Sequence, residues 1–226
     1  PKLKQGAVLV DPNDDSTEPK VLFMVEHTVR ESNQSGGVAS RRLQFVEIDE
    51  QANAINAGWA PHLDLQPIDK LEHKLVIDIL QEDWLNHNLE GLALNHASQQ
   101  LVPEHYAEVK GRRERQADKT MAAVNERLVK EINYWSDRYI KLKDDVKAGK
   151  RPRMQPEMAR RYVDDLTARL EQRKTELISL KNVVSSTPVV IGGALLIPQG
   201  LLALRKGETQ FAVDAVARAR VEQVAM

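Results

Sequence analysis

The 226-residue chain is 42% hydrophobic and 29% charged, enough for one fair-sized domain or two small ones with a substantial buried core. Thirty-two Lys and Arg against thirty-three Asp and Glu leave a net charge of −1, which does not mark the whole chain as a nucleic-acid or membrane binder. The absence of cysteine excludes disulfides, thiol nucleophiles, iron–sulfur clusters and cysteine-based zinc sites, and 4% aromatic residues give little material for an extended single-strand stacking platform. No apolar run approaches the roughly 20 residues of a membrane span, and no charged-then-apolar leader opens the sequence. A soluble, cytoplasmic, cofactor-poor protein is the expectation.

Residues 6–48 read as three strands. Ala7 to Val10 is apolar and is followed by the turn-forming DPNDDSTEP. VLFMVEHTV, from Val21 to Val29, has the β-branched and large apolar character of a half-buried strand. After the loop ESNQSGG, the segment to Ile48 places Leu43 and Phe45 on one parity and Val46 and Ile48 on the other, which implies a bulge or burial on both faces. An antiparallel meander accounts for these strands most simply. Beyond GWAPHLDLQP, Leu71, Leu75, Ile79 and Leu80 mark one helix, and Leu85, Leu89, Leu92 and Leu94 a second, both packing on the sheet.

Residues 103–182 differ in kind. Met121, Val124, Leu128, Ile132, Trp135, Tyr139, Leu142 and Val146 are spaced three or four apart. Gly149, Pro152 and Pro156 interrupt that run, and Met158, Tyr162, Leu166, Leu170, Leu177 and Leu180 resume it, with Arg173 at a seam position. Alternating threes and fours define a narrow apolar seam, so an antiparallel coiled-coil hairpin is expected. At 1.5 Å per residue, a helix from Glu104 to Ala148 spans roughly 65 Å and one from Pro156 to Asn182 roughly 40 Å. The longer helix therefore requires a break near Gly111 or an extra N-terminal turn packed on the body. SSTPVVIGGALLIPQGLL then reads as strand, kink at Gly192–Gly193 and strand, returning to the first sheet. RKGE at 205–208 is a turn, and FAVDAVARARVEQVAM a final helix without a closing cap, which implies a chain continuing beyond Met226.

The expected fold is therefore α+β: a small, mainly antiparallel sheet with packed helices and an inserted long two-helix antiparallel coiled-coil hairpin. Residues 1–102 form the first part of the body and 103–182 the hairpin. Residues 183–226 supply the return strands and the truncated helix.

Charge is unevenly distributed. Residues 104–181 hold twenty Lys and Arg and fourteen Asp and Glu, a net of +6, so the rest carries −7. Lys147, Lys150, Arg151 and Arg153 lie within seven residues at the hairpin tip, 147–153, with no acid among them. Arg112, Arg113 and Arg115 form a second cluster. Such groups are candidate phosphate contacts, although a charged outer face is the ordinary property of a solvated coiled coil.

Catalytic chemistry finds little support. The glycine pairs Gly36–Gly37 and Gly192–Gly193 lack the Lys and Ser/Thr of a phosphate loop, and the second pair suits a bulge or close backbone approach. Asp144–Asp145 and Asp164–Asp165 are neighbours on helices, where side chains diverge by about 100° and cannot act as an acid/base pair. Ser185 and Ser186 have no nearby His. His27 reads as a strand edge or pairing residue, and His87 and His96 meet only by tertiary accident. Trp59, in AGWAPHL, is expected to anchor the linker to the core, with a partner contact as the alternative. An enzyme site from the dispersed His27, His62 and His96 is the weakest reading.

Several longer phrases resemble a known family. AVLVDPNDDSTEPKVLFMVEHTVR, SRRLQFVEID with AGWAPHLDL, KEINYWSDRYIKLKDDVKAGKRPRMQPEMARRYVDDLTARLEQRK and STPVVIGGALLIPQGLL resemble the region C-terminal to the ATPase core of bacterial Swi/Snf-type (superfamily 2) DNA helicase-like proteins. The resemblance implies a non-catalytic accessory region of an ATP-dependent DNA translocase. ATP and Mg would bind the parent's motor and no cofactor would bind this region. The implied partners are the parent's ATPase core and double-stranded DNA; a protein docked at the hairpin is the alternative. The motor's Walker lysine and acidic metal-binding motif have no matching positions here, so no catalytic residue carries over.

Overall fold

The computed structural model describes residues 6–32 and 36–207. It is an α+β protein with a mixed sheet and one long helix. The described residues form two compact units: those within 1–28, 41–105 and 186–226 in the first, and those within 29–40 and 106–185 in the second.

Among the described residues, seven strands form the sheet: β1 (Val8–Asp11), β2 (Lys20–Glu31), β3 (Val38–Ile48), β4 (Ala54–Asn56), β5 (Gln66–Pro67), β6 (Val183–Ser185) and β7 (Val189–Pro198). Their order is β4-β3-β2-β7-β1-β5, with β6 paired to β2. This corrects the meander: β7 lies between β1 and β2, parallel to β1 and antiparallel to β2. The physical reason is burial. Ala194, Leu195, Leu196 and Ile197 are all buried, and a strand covered on both faces belongs in the interior of a sheet.

The two faces separate by residue parity, as the pleat requires. Val21, Val25, Leu195 and Ile197 join the larger core with Val46 and Ile48, while Leu22, Ala194, Leu196 and Phe45 form a smaller cluster. The change of parity in β3 is thus burial on both faces. The larger core continues through Val76, Ile79, Trp84, Leu89, Ala93, Ala97, Leu101, Leu201 and Leu202.

The two expected packing helices are mostly 3₁₀ turns, at Glu72–Leu75, Ile79–Gln81 and Asp83–Asn86, followed by α1 (Leu89–His96). Leu71 and Leu80, assigned by periodicity to a helix face, are 81% and 44% exposed. A few 3₁₀ residues suffice to bury Val76 and Ile79, and their three-fold repeat turns Leu80 outward. Asn88 caps α1 by accepting from the Gly91 N–H at 3.0 Å.

From α1 the chain runs through a π-helical turn at Ala97–Leu101 into α2 (Val102–Lys147), a helical stretch of 59 residues. The π turn ends two residues before Pro103, whose missing N–H deprives the preceding turn of a hydrogen bond; widening the helix there accommodates the loss. No break occurs at Gly111, and α2 is continuous through it. Gly149 adopts a left-handed conformation (φ 78°) and ends the helix, and α3 (Pro156–Lys181) begins with Pro at its first position. Within the second unit, Trp135 stacks on Tyr162 and Lys181 pairs with Asp118 at 2.5 Å. Leu128, Leu142, Leu170 and Leu177 are buried. Arg173 lines a cavity of 210 Å³ together with Arg127, Glu131 and Arg169.

Both readings of Gly192–Gly193 hold. The β2–β7 register shifts between Met24 and Val25, leaving Ile191 as the extra residue, and a Cβ on Gly193 would lie 3.3 Å from the Leu22 carbonyl oxygen. Residues 199–207 are helical, so Arg205–Gly207 is not the expected turn; Arg205 donates to the Leu75 carbonyl at 2.6 Å and pairs with Asp78, holding that carboxyl below its ordinary pKa. The expected final helix at 211–226 lies outside the described residues.

Gly200 is the tightest position in the first unit: a Cβ there would fall 2.1 Å from the Asp15 carbonyl oxygen. Gly200→Ala is expected to destabilise the protein by about 1–3 kcal/mol, the usual cost of overpacking, as a lower urea midpoint at unchanged m-value.

Candidate nucleic-acid interface

The cations of 147–153 lie where α2 ends and before α3 begins. Asp144, Asp145 and Lys147 occupy the last turn of α2, and the left-handed Gly149 turns the chain outward into Lys150, Arg151 and Arg153. Lys150 pairs with Asp145 at 2.7 Å, and Lys147 with Asp144 at 4.0 Å. The Asp145 hydrogen bond raises the Lys150 pKa. Arg151 and Arg153 are exposed and make no ion pair among the described residues. The four groups thus form one exposed cluster, with two cations held by exchangeable surface pairs and two open to an anion.

The second arginine group divides. Arg112 and Arg115 are exposed, whereas Arg113 is half-buried and bonds Glu31 at 2.9 Å. This ion pair lies beside the cluster of Val29, Val109 and Val183 and the Tyr106 hydroxyl, which donates to the Val183 carbonyl. Arg113 therefore serves the packing of its own unit.

The histidines named from the sequence have separate surroundings. His62 stacks on Phe45, His87 closes the 3₁₀ turn before α1, and His96 lies in the last turn of α1. Among the described residues no group of three or more His, Asp or Glu side chains could hold a metal ion. Ser186 is a structural residue, donating its hydroxyl to the Thr28 carbonyl at 2.7 Å. Among the described residues no helix is long and apolar enough to cross a membrane.

Sequence reasoning missed a buried histidine pair. His27 of β2 and His105 of α2 are both 0% exposed, and their Nδ1 atoms are 2.8 Å apart. One Nδ1–H must donate to the other ring, so the pair fixes a tautomer in each. Burial, first, and the charge of Arg42 push the His27 pKa below its ordinary value, against the opposing effect of a hydrogen bond to the Ser186 backbone carbonyl. The partners are 78 residues apart, and no spacing rule could have joined them.

Trp59 also departs from expectation. It does not anchor the linker: it is 81% exposed, as much as any large hydrophobic residue among the described residues, with the Arg42 guanidinium 5.4 Å from the ring centre. Arg42, Leu43, Gln44, Asn56, Gly58, Trp59 and Glu104 line a cavity of 60 Å³ there.

Compared with known proteins, the sequence matches no family model, no curated protein and no solved structure.

Two predictions follow from these environments. Because His27 titrates lower in the folded than in the unfolded chain, the unfolded state binds more protons as pH falls through about 6.5. Thermal stability should fall on acidification from pH 7 to pH 5, and His27→Gln should flatten that dependence in calorimetric scans. Separately, Arg113→Ala should cost about 1 kcal/mol through the half-buried Glu31, whereas Arg112→Ala and Arg115→Ala leave the melting temperature within error.

Proposed function

We propose that the chain is a non-catalytic accessory region of an ATP-dependent DNA translocase, and that α2 and α3 form an antiparallel coiled-coil hairpin whose tip contacts the DNA backbone. The contacts of residue 118 with 181 and of 135 with 162 support the hairpin, since the numbers rise along one helix as they fall along the other. The observation that carries the DNA contact is the tip: four cations within seven residues, two of them without an ion pair among the described residues. The +6 charge of residues 104–181 favours approach to a polyanion, while the rest of the chain, at −7, does not. Phosphate contacts of this kind position a protein on DNA without reading its sequence. The motor, its ATP and its Mg belong to the parent and rest on the sequence resemblance.

A protein-docking arm is the second reading. Tyr134 and Ile140 favour it, exposed by 60% and 55% on α2.

Fluorescence anisotropy with a labelled duplex separates the two. Four neutralised phosphates give a log–log salt slope near −3.6, so affinity should fall about 150-fold between roughly 50 and 200 mM salt. The combined variant Lys150→Glu, Arg151→Glu, Arg153→Glu should remove binding while keeping the circular dichroism of the parent chain. An absence of duplex binding at the lower salt would refute the DNA contact and leave the arm as a protein dock.

A further inference from the structure

We propose that Trp59, with Arg42, Gln44, Asn56 and Glu104, is a binding site for a single unpaired nucleobase, guanine above the others. The inference rests on the nucleic-acid reading of the chain but on none of the hairpin residues.

The first observation is the cost of holding Trp59 outward. An indole 81% exposed gives up the burial that a tryptophan ordinarily contributes. Its loop is also conformationally demanding: Gly58 has φ 80°, and Ala60, which has a Cβ, has φ 52°. Left-handed alanine is disfavoured, and such residues persist where surrounding structure enforces them. Asn56 provides that enforcement by accepting from the Gly58 N–H at 3.0 Å. The indole is thus presented by a braced turn, without packing in return.

The second observation is the chemistry around it. Arg42 lies over the ring, and with the side chain so exposed much of the indole surface remains open to a guest. Glu104 forms no ion pair among the described residues, and the Gln44 Oε1 is buried without a hydrogen-bond partner, so the cavity is rich in acceptors. The Asn56 Oδ1 is occupied by Gly58, which leaves its amide N–H₂ as a donor.

A guest must therefore bring a flat face, adjacent N–H donors and an acceptor. A lysine or arginine side chain would meet the Arg42 charge, and a sugar has hydroxyls but no π face. A nucleobase stacks on an indole without needing a particular sequence. Of the four bases, guanine alone offers two neighbouring donors, N1–H and the 2-amino group, to a carboxylate, with O6 left to accept from an amide or guanidinium. The cavity, at 60 Å³, suits the edge of a base, with the face resting on the indole outside it. One aromatic is enough for such a site, so the 4% aromatic content is no obstacle.

The test uses the full chain labelled with ¹⁵N, in which three tryptophans give three indole N–H signals, assigned with Trp59→Phe. The 5′-monophosphates of guanosine, adenosine, cytidine and thymidine are titrated first, then the single-stranded pentamers TTGTT and TTATT. The Trp59 signal should move selectively, with guanosine monophosphate binding about tenfold more tightly than adenosine monophosphate, the discrimination of one bidentate contact. Glu104→Gln should abolish that preference while base stacking remains, and Trp59→Ala should weaken TTGTT binding about tenfold. The variant carrying Glu at 150, 151 and 153 should respond to guanosine monophosphate as the parent chain does, so loss of the hairpin contact leaves this result standing. Equal responses to the guanosine and adenosine nucleotides would overturn the guanine assignment. A stationary Trp59 signal with every nucleotide and both pentamers would overturn the site itself and leave the exposed indole to a protein partner.

Discussion

The arrangement of the first unit depends on one strand arriving last. β7 supplies the register for both β1 and β2, pairing Val8 with Leu195 on one side and Val21 with the same Leu195 on the other. Remove it and β1, with β5 beyond it, loses its link to β2 in the sheet. Its sequence meets that demand in two ways. ALLI gives it apolar side chains for both faces, and Gly193 lets β2 approach where a Cβ would crowd Leu22. The close passage of Gly200 beneath Asp15 belongs to the same solution, because the connection from β1 to β2 has to pass the chain leaving β7.

Charge serves two distinct purposes. In the Arg113–Glu31 pair both side chains are mostly shielded, so removing one partner leaves a poorly solvated charge behind. At the end of α2 the pairs Lys150–Asp145 and Lys147–Asp144 are open to water, where an ion pair contributes little and is readily exchanged. A polyanion can take over such lysines at small cost. The histidine pair is a third case, in which polarity is buried and satisfied by sharing a proton rather than by opposing charges.

The helical half of the fold was legible because its signals are local. The three-and-four spacing over 121–146 and 158–180, with Gly149, Pro152 and Pro156 between, marks α2 and α3 closely. Strand positions were legible too, from β-branched runs and turn residues, but their order was not. A meander minimises connection length, and what overrode it was the burial of β7 on both faces, visible in IGGALLI only as an apolar run. The 3₁₀ turns are not legible as such, because Leu71 and Leu80 fit a helical period although both are exposed. The tip cations could be found by composition alone. Arg113 could not be separated from Arg112 and Arg115, since its partner Glu31 is 82 residues away. The polar company of Trp59 in AGWAPHL marks it as an exposed-looking aromatic, but its failure to anchor the linker to the core is not legible there; the turn that carries it has left-handed Gly58 and Ala60.

The placement of the tryptophans has a spectroscopic consequence. Trp84 is buried in the core of the first unit, Trp59 stands in water, and Trp135 lies against Tyr162 in the second unit. Intrinsic emission therefore samples three polarities at once, and unfolding should shift Trp84 strongly to the red while Trp59 barely changes colour. Singly retained tryptophans would convert the chain into its own probe of cooperativity: coincident transitions of Trp84 and Trp135 mean the two units melt as one, and separated transitions mean each carries its own stability.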